Sequence, residues 1–242
     1  MVALAVIGIV VGFLVMDLVI RRMPTLARAA SPIPVSDTGL RHNGSLSGFR
    51  IPRGYSFHPG HTWAKLDQAI SGEAAVQPVR IGADDFSVNI LGRIDGIQFP
   101  QKGATVTAGA PLFSLKQGDK KIDFPAPIGG TIADVNEDLA SHPERVVEDS
   151  FRSGWIASLH PKNEAELASL ERDETAAQRL RRDVRKFREF LMELAGRDSE
   201  LGTTLADGGA PRRGVLEEFG QEDWERFQRE FLGLSSTGRA ER

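Results

Sequence analysis

Residues 113–130, FSLKQGDKKIDFPAPIGG, decide the fold. Phe113 and Leu115 alternate with polar residues, Gly118-Asp119 makes a two-residue turn, and Ile122 and Phe124 resume the alternation. This pattern predicts an antiparallel hairpin that buries those four residues and leaves Lys116, Lys120 and Lys121 around a solvated tip. The second strand closes on Pro127-Ile128-Gly129-Gly130, a turn signal.

The same grammar extends outward. Between Tyr55 and Leu159 short apolar runs alternate with turn residues: VRIGADDF, GRIDGIQFP, ATVTAGAPLFSL, KIDFPAP, GGTIADV and GWIASLHP. Their spacing predicts a mainly β sandwich or barrel, with short helices at Asp84 to Leu91 and Asn136 to His142. Beyond Pro161 the pattern changes. Asn163 with Glu166 starts a helix-like segment, and Leu170, Ala177, Leu180, Val184, Phe187, Leu191 and Leu194 fall at three- and four-residue steps. Residues 197–214 carry Gly202, Gly208, Gly209 and Pro211 and read as a flexible break. A second short amphipathic helix over 215–234 presents Phe219, Trp224, Phe227, Phe231 and Leu234. The apolar faces of both helices can pack on the β-domain or dock on a partner. Phe187, Leu191, Trp224, Phe227 and Phe231 are therefore candidate partner-binding residues.

Toward the N-terminus, residues 23–50 are rich in proline, glycine and serine and read as a linker. Ahead of it, Val2 to Ile20 is apolar or glycine except for Asp17, about the length a helix needs to cross a hydrocarbon core of roughly 30 Å. Arg21, Arg22 and Arg28 follow directly and nothing basic precedes, so the positive-inside rule places the β-domain in the cytoplasm and the N-terminus outside. The rival is a cleaved signal peptide ending near Ala27-Arg28-Ala29. Gly8 and Gly12 have the small-xxx-small spacing through which a partner helix approaches a span.

Composition excludes several classes of chemistry. The 242 residues include no cysteine, which removes disulfides, thiolate metal sites and cysteine nucleophiles. A net charge of -3 gives no pull toward nucleic acid. Gly92, Gly103, Gly129 and Gly130 are turn glycines without the strand-to-helix context of a phosphate loop, and no acid–base pair accompanies a nucleophile. His58 and His61 are three apart without a third ligand, a weak metal pattern.

An ordered series of motifs then carries a resemblance. Tyr55, His61-Thr62-Trp63, Ile81-Gly82-Ala83-Asp84, Leu91-Gly92, Gly103, Gly109, Pro127-Ile128-Gly129-Gly130, Val135-Asn136, Gly154-Trp155 and Pro161 make residues 51–172 resemble the glycine cleavage system H protein. The resemblance implies a hybrid barrel-sandwich of the lipoyl-domain type, in which a lysine at a hairpin tip carries lipoate and passes an aminomethyl group between enzymes. Counting back eight residues from Pro127, which matches the proline of the family's P-V-S-G segment, puts Asp119 at the lipoyl-lysine position. Lys116 falls where the family usually has glutamate, and Lys120 lies one residue past the tip. A carboxylate forms no amide with lipoate, so this alignment removes the swinging arm. His61 and Trp63 match the family's H-E-W segment, whose histidine helps line the cleft that shelters the loaded arm. Without an arm, His61 reads as a hydrogen-bonded packing residue.

The expected organisation is a transmembrane helix (1–22), a linker (23–50), an H-protein-like β-domain (51–172), an amphipathic helix (173–196), a loop (197–214) and a short amphipathic helix with tail (215–234). The expected role is non-enzymatic: a structural or assembly subunit without cofactor or metal, anchored in the cell inner membrane. It would bind or stabilise a membrane protein complex, for example a respiratory or photosynthetic one, on the cytoplasmic face. The alternative is a membrane-tethered lipoyl carrier that uses Lys120. A third reading is a small-molecule or metal sensor using His58 and His61.

Overall fold

Phe113 pairs with Phe124 and Leu115 with Ile122 across the central hairpin, and all four side chains are buried. The two phenylalanine rings stack at 5.1 Å, so the apolar alternation in the sequence becomes one continuous buried face. The computed structural model describes residues 45–46, 48–67, 77–195 and 211–234. The predicted span, Gly8 and Gly12 lie outside these residues. Among the described residues no helix is long and apolar enough to cross a membrane.

The hairpin strands are β8 (Pro111–Gln117) and β9 (Lys120–Pro125), joined by Gly118-Asp119. Gly118 has a φ of +56°, while Asp119 does not enter the positive-φ region. Glycine in the first central position is what a type II′ turn requires. Together with β6 (Gly96–Gln98) they form a three-stranded sheet in the order β6-β8-β9.

The second sheet has six antiparallel strands in the order β3-β4-β5-β11-β10-β7. They are β3 (Ser56–Phe57), β4 (Thr62–Leu66), β5 (Val79–Ala83), β7 (Thr105–Val106), β10 (Gly130–Val135) and β11 (Ala157–Pro161). Side chains from both sheets enter one core that includes Trp63, Ile81, Leu115, Ile122, Phe124 and Leu159. The fold is therefore mainly β, a barrel-sandwich, with helices packed on its outside.

Two short helices sit within the β-domain: α1 (Asp85–Leu91), capped by the Asp84 side chain on the Ser87 N–H, and α2 (Arg145–Glu148). A 3-10 turn spans Glu137–Ala140. After β11, Asn163 caps α3 (Glu164–Ser169) through the Ala165 N–H. Helix α4 (Asp173–Ala195) then runs across the β-domain.

Further along the chain, a 3-10 turn (Val215–Glu218) leads to α5 (Gln221–Phe227), which a π-turn (Gln228–Leu232) continues. Phe187 and Phe231 from these segments meet Phe86 of α1 at 5.8 and 6.2 Å. Phe190, absent from the sequence-derived seam, joins the same cluster.

Two expectations are corrected. The linker assigned to 23–50 overlaps folded structure, because β1 (Ser45–Leu46) pairs with β2 (Phe49–Arg50). Phe49 is buried edge-on against Phe86 at 5.3 Å, and Arg50 forks onto Asp85. Phe187, Leu191, Trp224, Phe227 and Phe231, assigned to partner binding, are buried in the chain's own core. An amphipathic face satisfies its apolar side on whatever is nearest, and here that is the β-domain to which the helices are covalently joined.

Candidate functional site

Two separate features form the candidate site: the hairpin tip at the Lys120 end of β9, and a buried cluster around His61, whose neighbour Gly60 lies close to Pro125 at the other end of that strand. At the tip, Asp119 is exposed in the turn, while Lys120 is the first residue of β9 and pairs with Gln117. Lys120 is held down. Its ammonium donates to the carbonyls of Glu217 (2.8 Å) and Phe219 (3.1 Å) and lies 4.7 Å from the centre of the Trp224 ring. Partial burial draws the Lys120 pKa below the ordinary lysine value, Glu217 opposes that and Arg93 adds to it.

The C-terminal segment also closes the open edge of β9. Gln221 accepts from the Lys121 N–H (3.0 Å) and donates to the Lys121 carbonyl (3.2 Å), and Gln228 accepts from the Asp123 N–H (2.7 Å). Two glutamine side chains thus stand in for a neighbouring strand. Trp224 is fully buried, and its indole N–H donates to the Leu216 carbonyl at 2.8 Å. These glutamines gave no signal in the sequence, because their partners lie about a hundred residues away in the chain.

The second feature begins at the turn from β3 to β4. His61 has a φ of +58°, an uncommon conformation for a residue with a side chain. It is pinned there from both sides: its N–H donates to the His58 carbonyl (3.0 Å), and its own carbonyl accepts the Asp84 N–H (2.9 Å). The buried ring stacks on Phe86 at 4.5 Å. Nδ1 lies 2.8 Å from the Asp84 carboxylate, and Nε2 lies 3.6 Å from Asp183 of α4.

Asp84 serves two partners, since its other oxygen accepts the Ser87 N–H that opens α1. Burial raises its pKa, but the His61 imidazole, Arg179 and the Ser87 N–H outweigh that and leave it below the ordinary carboxylate value. Arg179, buried on α4, bonds Glu171 and reaches Asp183 at 3.2 Å. His58 accepts the Gly60 N–H through Nδ1 at 2.9 Å. Burial, then Arg179, then His61 push its pKa down to about 4, so it is neutral near pH 7.

Chemically the cluster is a buried polar network. His61 is buried, with Asp84 beside one ring nitrogen and Asp183 of α4 beside the other. Among the described residues no group of three or more His, Cys, Asp or Glu is placed to hold a metal ion. The sequence singled out His61, yet Asp84 is 23 positions away and Arg179 and Asp183 lie on a helix outside the family motifs. Only Asp84 had a local signal, as the cap that begins α1.

With this geometry in hand, similarity to known proteins is informative. Residues 60–183, about half of the 242-residue chain, match the family described as Glycine cleavage H-protein. The chain is 32% identical over 120 residues to the glycine cleavage system H protein of Bacillus subtilis (strain 168), covering 50% of this chain and 88% of that protein. It is 33% identical over 119 residues to the H protein of Geobacillus kaustophilus (strain HTA426), covering 49% and 87%. A crystal structure of an H protein from Mycobacterium marinum, 28% identical, covers 55% of this chain and 98% of its own at a TM-score of 0.45, a likeness too slight to add to the argument. The match ends inside α4, so the segment that covers β9 lies outside it. On the strength of the matched residues and the relatives, this chain belongs to the glycine cleavage H-protein family.

Proposed function

We propose that this chain is a non-catalytic, non-lipoylated H-protein-like module, anchored at the inner membrane by Val2 to Ile20, that binds or stabilises a membrane protein complex on the cytoplasmic face. The supporting observation is the pairing of a carboxylate at the hairpin turn with a sealed lysine beside it. Asp119 takes the exposed tip position, and Lys120 donates to two carbonyls of the chain's own C-terminal segment. A carrier lysine needs a free tip so that its arm can sweep between active sites. The segment over Lys120 is anchored by the buried Trp224, Phe227 and Phe231, so uncovering the amine means removing apolar side chains from the core. Because both C-terminal helices are spent inside the fold, the module would meet a partner through the outer surface of the sandwich or through the N-terminal segment.

Membership of the H-protein family favours a second reading, a lipoyl carrier that uses Lys120. Intact-mass spectrometry of the protein purified from cells with an active lipoylation pathway separates the two. An unmodified mass supports the structural module; a lipoyl adduct mapped to Lys120 replaces it with the carrier. The membrane assignment is checked separately, by whether the protein sediments with membranes and resists alkaline extraction.

A further inference from the structure

Away from the hairpin, beside the start of the six-stranded sheet, lies a groove of about 320 Å³ lined by Tyr55, Trp63, Lys65, Leu66, Asp67, Arg80, Phe151 and Arg152. That volume is within the usual range of small-ligand pockets. Its floor is aromatic. The Tyr55 ring meets Trp63 edge-on at 5.2 Å and Phe151 at 5.1 Å, and the Tyr55 hydroxyl donates to the Phe151 carbonyl, which fixes the rings relative to one another. Leu66, one of two large apolar side chains exposed among the described residues, also lines it.

The rim is positive on balance, with Lys65, Arg80 and Arg152 against the one lining carboxylate, Asp67. Arg80 is matched by Asp67 at 2.7 Å and stacks over Trp155 at 4.9 Å, and Arg152 leans on Asp149 at 3.3 Å. Lys65 is different. Its ammonium lies 4.5 Å from the Tyr55 ring centre and donates to the Tyr55 hydroxyl at 3.3 Å, and among the described residues no carboxylate pairs with it. One of its three donors is spent on the tyrosine, leaving two and an uncompensated charge. The cavity of about 350 Å³ bordered by Arg93, Arg213, Glu144, Glu148 and Glu217 has the opposite balance of charge.

We infer that this groove is a binding site for a small anion on a flat apolar body, an aromatic carboxylate or an aryl phosphate ester, with Lys65 and Arg80 taking the anionic group and the rings of Tyr55, Trp63 and Phe151 taking the body. The site is independent of whether the hairpin carries lipoate. Charge-assisted hydrogen bonds from Lys65 would set the orientation, and the aromatic floor would discriminate against a bare anion.

The test uses the full chain labelled with 5-fluorotryptophan, which places a reporter at each of its three tryptophans. Phenyl phosphate is titrated and compared with benzoate and inorganic phosphate, and Trp155→Phe and Trp224→Phe assign the resonances. Phenyl phosphate and benzoate are expected to shift the Trp63 resonance saturably, with a Kd of about 1 mM or tighter, while Trp224 stays fixed. Lys65→Met, which keeps the apolar stem over Tyr55, is expected to weaken phenyl phosphate about tenfold, and inorganic phosphate to bind about tenfold more weakly than phenyl phosphate. Arg152→Ala, at an exposed position outside the sheet, weakens binding in the same direction and guards against a folding defect in the first variant. No saturable shift of Trp63 by about 10 mM, affinity in both variants unchanged from that of the unsubstituted chain, or equal affinity for phenyl phosphate and inorganic phosphate would overturn the inference.

Discussion

The Lys120 ammonium lies 4.7 Å from the centre of the Trp224 ring, so the one lysine adjoining the hairpin turn on its β9 side is held by a residue outside the family's matched region. A cation over an indole face contributes about 0.5–2 kcal/mol, and the two carbonyl acceptors add to it. The geometry makes covering of Lys120 and stability of the C-terminal segment one property.

Trp224→Ala should therefore act twice. Loss of a fully buried indole is expected to destabilise the protein by about 3–5 kcal/mol in urea unfolding. Lys120 should also become more reactive toward an acetylating reagent, read by peptide mass spectrometry. Destabilisation without a gain in Lys120 reactivity would count against Trp224 as the seal.

Moving a lysine to the tip tests the alignment. If Asp119 takes the carrier-lysine position, Asp119→Lys combined with Lys116→Glu recreates the family pattern there, and both sites are exposed, so stability should stay within about 0.5 kcal/mol. Co-expressed with a lipoylating enzyme, the double variant is expected to acquire a lipoyl adduct on residue 119. An adduct absent there and present on Lys120 would show that the register is wrong.

Asp84→Ala removes the cap of α1 and the partner of His61 Nδ1 together. A lost cap costs about 0.5–2 kcal/mol and an unpaired buried donor about 1–3 kcal/mol, so about 2–4 kcal/mol is expected in denaturant unfolding. Asp84→Asn, which keeps an acceptor for Ser87, should cost less than alanine.

Protonation of His58 should make stability pH-dependent. Its folded pKa is lowered from 6.5 to about 4, so between those values the unfolded chain binds a proton that the folded chain does not. Its contribution is present in full above pH 6.5 and is lost as pH falls toward 4. Asp84 acts lower, because its folded pKa is below 3.8 and its contribution fades only as pH drops beneath that value. Thermal unfolding against pH should show the upper slope, and His58→Gln should flatten it while leaving the lower one.

Gly60→Ala probes the junction between the β3–β4 turn and the C-terminal segment. A Cβ there would stand 2.4 Å from the Pro125 side chain and 2.7 Å from the Leu232 carbonyl. Overpacking of this kind costs about 1–3 kcal/mol. Hydrogen exchange should rise first in residues 221–232, and unchanged protection there would rule out this contact as a clamp.

How much was legible in the sequence follows from the range of each signal. The alternation of Phe113, Leu115, Ile122 and Phe124 is local, and so is the cap at Asp84. Strand, turn and helix starts depend on neighbours within four residues, and these could be read directly. The β1–β2 hairpin was missed because a Pro/Gly/Ser-rich composition says nothing of Phe49, which is buried only once Phe86 is brought to it.

By itself, then, the sequence determined the mainly β core and the family motifs, since both rest on residue identity and short spacing. The tertiary structure decided where the amphipathic helices spend their apolar faces, which partners hold His61, and that Lys120 is covered. Those outcomes depend on contacts between segments about twenty to more than a hundred residues apart. An apolar stripe is satisfied by any matching surface, and only the folded chain selects which one.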